Sequence, residues 1–118
     1  MKKKPDDQQI ELTSVLLDRV LDIVRGDDRD LNLRQLAVLL VCYSTSEPQT
    51  VRGLAEHLNV VKPAITRALD RLEKAKLVRR KYDPADKRSI HVAVTRAGER
   101  YGEMFLGGSL QQRASVDG

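Results

Sequence analysis

The stretch TVRGLAEHLNVVKPAITRALDRLEKAK, residues 50–76, decides the fold. Thr50 can cap a short helix over Val51 to Leu58, because its hydroxyl oxygen can accept from the free N–H groups of a first turn. Asn59-Val60-Val61 then makes a three-residue turn, and a longer helix runs from about Lys62 to Lys76. Pro63 suits the first turn of that helix, where its missing N–H costs nothing and its fixed φ helps initiation. At 100° per residue, Ile65, Leu69 and Leu72 share one side, whereas Pro63, Arg67, Asp70 and Lys74 point the opposite way. Thr66 and Arg71 flank that outer face. Two helices joined by so short a turn form a helix-turn-helix.

Downstream, Val78 to Tyr82 and Ser89 to Val94 favour strands, the second with Ile90, Val92 and Val94 alternating. Asp83-Pro84-Ala85-Asp86-Lys87-Arg88 reads as the turn between them, so the pair is a hairpin, or wing, with Lys87 and Arg88 at its tip. Thr95 can cap a last helix from Arg96 to about Leu106, which Gly107-Gly108 terminates. Upstream, Leu12, Val15, Leu16, Val20, Ile23 and Val24 recur at helical spacing over Ile10 to Val24, and Gly26 with its charged neighbours ends that helix. Asn32 can cap the next one, in which Leu36 to Cys42 is apolar almost all round and so belongs in the core. Pro48 lies beyond its end.

The expected architecture is therefore mainly α (α+β), a winged helix-turn-helix with a two-stranded wing. Its parts are a disordered N-terminus over 1–9, a domain over 10–106 and a disordered tail over 107–118. Within the domain the helix-turn-helix takes 50–76, the wing 77–94, and the terminal helices 10–24 and 96–106 are expected to dimerise.

Composition narrows the function. Hydrophobic residues make up 41% of the 118 and charged residues 32%, within the range of a globular domain. Aromatics are only 3%, too few for the stacking platforms that bind single-stranded nucleic acid. The single cysteine, Cys42, cannot close an intramolecular disulfide, which fits a reducing cytoplasm, and its apolar run makes it a core residue. Met1-Lys2-Lys3-Lys4 is followed by polar Pro5 to Gln9, not by the apolar core of an export signal. No run approaches the roughly 18 apolar residues of a membrane helix. The net charge of +4 is concentrated: residues 62–100 hold 12 basic and 5 acidic residues, residues 1–61 hold 8 and 10, and residues 101–118 hold 1 and 2. A localised basic segment on a near-neutral body is the electrostatic footprint of a polyanion partner. His57 and His91 lie far apart in sequence and neither belongs to a metal-ligand spacing. No nucleophile triad, phosphate loop or carboxylate pair emerges, so no enzyme, cofactor or metal is expected.

The series Leu54-Ala55-Glu56-His57-Leu58-Asn59-Val60, Lys62-Pro63-Ala64-Ile65-Thr66-Arg67 and Leu69-Asp70-Arg71-Leu72-Glu73 resembles the MarR-type winged-helix regulators. The likeness continues through Asp83-Pro84, Asp86-Lys87-Arg88-Ser89, Val92-Ala93-Val94-Thr95 and Gly98, covering about residues 33–100. It implies a transcriptional regulator, most simply a repressor, whose recognition helix, Lys62 to Leu72, enters the major groove of double-stranded DNA. It also implies that Arg88 reaches the adjacent minor groove, that the protein is a homodimer on a pseudo-palindromic operator, and that a small aromatic effector or oxidation releases DNA. Two departures stand out. Where relatives often carry Ser before Lys62, this chain has Val61, which cannot cap the helix, so either Asn59 substitutes or the end frays. The apolar series also stops near Phe105, short of the long terminal helices with which relatives dimerise.

The candidate DNA-binding residues are Lys62, Pro63, Ala64, Thr66, Arg67, Arg71, Lys74, Lys87 and Arg88. Arg67 is suited to base readout, since its planar fork can pair bidentately with guanine O6 and N7. Thr66 can meet a thymine methyl or a phosphate. Lys62, Arg71, Lys74, Arg79, Arg80, Lys81 and Lys87 are candidate phosphate cations, each of which would release counterions on binding. Asp70 is expected to orient Arg67 or Lys74 at helical spacing, and Asp86 to steady Arg88. The alternatives are a protein-interaction module and a nonspecific nucleoid-type protein. An outer face without Leu, Phe, Tyr or Trp anchors speaks against the former.

Overall fold

The computed structural model describes residues 4–26, 30–85 and 89–105. The chain divides into two units, one comprising residues 1–30 with 103–118 and the other Leu31–Gly102. In the first, α1 (Asp7–Gly26) begins three residues before the expected Ile10. The cause is a reciprocal cap: Gln9 N–H donates to Asp6 Oδ1 at 2.8 Å and Asp6 N–H donates to Gln9 Oε1 at 2.9 Å. Residues 7–9 are thus helical, which corrects their assignment to a disordered N-terminus. Along α1, Ile10, Leu12, Leu16, Leu17, Val20 and Val24 are exposed.

The second unit starts with α2 (Leu33–Ser44), which carries the same device at Asn32 and Gln35, with bonds of 2.8 and 3.0 Å. Its Val38 and Leu39 are fully buried and Cys42 nearly so. Next come β1 (Gln49–Thr50), α3 (Val51–Leu58), α4 (Lys62–Lys74), β2 (Val78–Tyr82), β3 (Ile90–Val94) and a helix over 96–105, here α5. The sheet has three antiparallel strands in the order β1-β3-β2. Arg80 lies opposite Val92 in the wing, and Gln49 pairs with Val92 from the other side. The short β1 extends the expected hairpin into a three-stranded sheet. Leu39, Leu54, Ile65, Leu69, Leu72, Leu77, Val78 and Val92 fill one core that joins α2, α3, α4 and the sheet.

Two joints fix the helix-turn-helix and the wing within this unit. Asn59 ends α3 in the left-handed region (φ 57°), a conformation its short polar side chain tolerates, and its N–H bonds the α3 carbonyls. Thr95 caps α5 by accepting from Gly98 N–H at 3.0 Å, while its own hydroxyl donates to the Lys76 carbonyl at 2.7 Å. Any side chain at Gly98 would collide with the Leu77 carbonyl oxygen, so the Thr-x-x-Gly signature is a close helix-to-strand approach. Among the described residues, no helix is long and apolar enough to cross a membrane.

Candidate nucleic-acid interface

The two faces of α4 separate cleanly. Ile65, Leu69 and Leu72 are fully buried, and Lys62, Pro63, Thr66, Arg67, Asp70 and Lys74 are exposed. Arg71 is half-buried. Ala64, expected at the DNA, is 5% exposed and lies with Ala68 on the inner side, so its side chain offers no contact surface. A helical step of 100° from Ile65 keeps it within the buried arc.

Helix α4 opens without a side-chain cap, since Val61 makes no such bond. Asn59 does not substitute, because it terminates α3. The first turn is nevertheless closed by the backbone: Ala64 N–H donates to the Val61 carbonyl at 3.0 Å and Ile65 N–H to the same oxygen at 3.4 Å. Val61 itself is 67% exposed beside the outer face.

The charges on that side are not all available. Asp70 neither orients Arg67 nor pairs with Lys74; its Oδ1 accepts from Arg80 Nη2 at 2.7 Å. Arg80 also donates to Glu73 from Nη2 at 2.7 Å and from Nε at 3.0 Å, and its backbone N–H reaches Glu73 Oε2 at 3.3 Å. These Arg80 hydrogen bonds hold the Glu73 carboxyl below its ordinary range. Arg80, expected as a phosphate cation, is therefore committed to a clamp between α4 and the wing, with two carboxylates around its one charge. Its neighbours Arg79 and Lys81 are exposed. The partner of Arg80 was illegible because ten residues and a change of element separate it from Asp70, beyond any helical spacing.

The wing closes with Asp83 N–H donating to the Ser89 carbonyl at 3.0 Å and Ala85 N–H to Asp83 Oδ1 at 2.8 Å. His91 Nε2 lies 3.6 Å from Asp83 Oδ2, a pairing across the hairpin that sequence spacing did not reveal. Lys87 and Arg88, with Asp86, fall outside the described residues. A hollow of about 540 Å³ opens where α3, the start of α4 and the wing meet, and it unites Lys62 and Thr66 with Arg52. Sequence reading passed over Arg52, although an exposed cation in the first turn of the supporting helix is itself a signal. Among the described residues, no group of three or more His, Cys, Asp or Glu could hold a metal ion.

The profile of the MarR family matches residues 31–90, just over half of the chain. The chain belongs to the MarR family. One sequence relative is the uncharacterized HTH-type transcriptional regulator YkoM of Bacillus subtilis, 32% identical over 74 residues. That alignment takes in 63% of this chain and 47% of YkoM, so the chain spans about half the length of the curated relative it matches. Among solved structures, the transcriptional regulator Tm0710 from Thermotoga maritima superposes with a TM-score of 0.73 at 23% identity, covering 93% of this chain and 76% of that one. The S. aureus MepR–DNA complex gives a TM-score of 0.66 at 21% identity, covering 92% and 88%. At these identities the likeness establishes the MarR winged-helix fold, mainly helical with a small antiparallel sheet, for this chain.

Proposed function

We propose that the protein is a sequence-specific double-stranded DNA-binding transcriptional regulator of the cytoplasm, acting as a repressor rather than as an enzyme. The observation that carries this reading is the outer face of α4, where Lys62, Pro63, Thr66, Arg67 and Lys74 stand exposed beside a wing bearing Arg79 and Lys81. Arg67 would read a base edge in the major groove, Lys62, Arg71 and Lys74 would lie along phosphates, and Lys87 and Arg88 would bring the wing to the minor groove. That MepR has been seen both on DNA and with ethidium bromide supports the same partner and a small-molecule effector for this chain.

Homodimerisation belongs to the same reading. The exposed Leu12, Leu16, Leu17, Val20 and Val24 of α1, with Met104 of α5, make a surplus of apolar surface that a symmetric copy would bury. Two recognition helices would then sit about one DNA turn, roughly 34 Å, apart on a pseudo-palindromic operator. Selection of binding sites from random duplexes at moderate salt tests the proposal. A two-fold symmetric consensus is expected; equal capture of all sequences would leave a nonspecific nucleoid-type protein, and no capture would leave an interaction module.

A further inference from the structure

We infer that the hollow between α3, the start of α4 and the returning wing strand is a phosphate seat, which holds one backbone phosphate of the bound duplex with Arg52 as its leading cation. The inference rests on the reading of α4 as a duplex-binding helix and adds a site to it.

The lining of the hollow is chemically one-sided. Arg52 and Lys62 bring two positive charges from two different helices, Thr50, Thr66 and Ser89 bring three hydroxyl groups, and Ile90 closes one wall. Among the described residues, no acidic side chain lines it. Among the described residues, Arg52 and Lys62 enter no ion pair, in contrast to Arg80 on the same side of the molecule, which two carboxylates engage. The Thr50 oxygen accepts from Gly53 N–H at 2.9 Å, and this leaves its hydroxyl proton to be donated. Two cations with the Thr50 and Thr66 hydroxyls around an open space, and no carboxylate among the described lining residues, select an oxyanion.

The source of that oxyanion follows from position. Lys62 and Thr66 belong both to the hollow and to the exposed face of α4, so a duplex lying along that face passes over the opening. The supporting helix of a helix-turn-helix crosses the sugar–phosphate backbone, and Arg52 sits in the first turn of that helix. The volume of about 540 Å³ admits a phosphate with its sugar and accompanying water. A phosphate contact of this kind positions the protein and carries no base preference.

The test is fluorescence anisotropy with the selected duplex and a scrambled one across a salt series, for the wild type, Arg52→Ala, Arg52→Lys and Arg67→Ala. Arg52→Ala is expected to weaken both duplexes by a similar factor, about 3- to 10-fold per half-site, and to reduce the salt slope by about 0.9 per half-site, about 1.8 for a bound dimer. Arg52→Lys should restore most of the affinity. A neutral methylphosphonate placed at one position per half-site should weaken the wild type by the same factor and leave Arg52→Ala unchanged. A wild-type slope in Arg52→Ala, or an equal methylphosphonate penalty in both proteins, overturns the seat. If Arg67→Ala loses base preference at the same time, duplex recognition stands without it. If instead the wild type captures no duplex while inorganic phosphate shifts the Arg52 Nε–H resonance, the hollow takes a free anion and the duplex assignment falls.

Discussion

Within the thirteen residues of α4, side chains a single step apart meet opposite environments: Ile65 is fully buried and Thr66 exposed, Ala68 is buried and Arg67 exposed. The inner face is held by packing, where a lost methylene leaves a void that the neighbours fill only in part. The outer face is held by nothing of that kind. The network Asp70–Arg80–Glu73 at its edge serves to fix α4 against the wing. Residues on the inner face should therefore change stability, and residues on the outer face should change binding while stability stays level.

The largest effect expected from this division is that of Leu69→Ala, a truncation in the centre of the core, which should cost about 2–5 kcal/mol of folding stability in a urea titration. A loss below about 1 kcal/mol would show that the interior relaxes around the void and that the contrast between faces is overdrawn. Arg67→Ala should do the reverse. It should leave the urea midpoint unchanged and cost about 1–3 kcal/mol at the selected operator, with preference relaxed at one or two base pairs per half-site. Equal weakening on every sequence would reassign Arg67 to a phosphate.

A third substitution lies at the boundary between the faces. Val61→Ser supplies the missing cap to α4 and should raise stability by about 1 kcal/mol, measured by thermal unfolding. An unchanged midpoint would mean that the two backbone bonds to the Val61 carbonyl already satisfy that end. The smallest effect concerns the clamp. The Glu73 carboxyl is held below its ordinary value, so its stabilisation is present above that value and is lost as pH falls through the lower, folded-state one. Because the pair is partly exposed, the effect should stay well under about 1 kcal/mol, and Glu73→Gln should flatten the acid limb of stability against pH.

These contrasts also show where the sequence was legible. The inner face of α4, the buried run of α2 and the alternation of Ile90, Val92 and Val94 are periodic signals that local geometry imposes, and each marks an element of the structure. The outer cations of α4 followed from the same wheel. Strand β1 left no trace, because two residues cannot alternate and Gln49–Thr50 become a strand only through β3. Arg80 read as a free cation because its partners are set by how α4 packs on β2, which no spacing along the chain encodes. The burial of Ala64 was illegible in the motif, because the motif counts consecutive residues whereas burial follows the angle around the helix.

Cys42 gives the molecule an unintended reporter. It is the single cysteine of the chain, it sits buried in α2, and burial pushes its thiol up to about 11. At neutral pH roughly one such thiol in ten thousand is ionised, so peroxide or a maleimide finds almost no nucleophile while the core is closed. Labelling of the native protein therefore proceeds through openings of the core around α2, and its rate is a clock for them. Followed with and without duplex, that clock measures how far ligand on the outside of the domain slows the breathing of its interior.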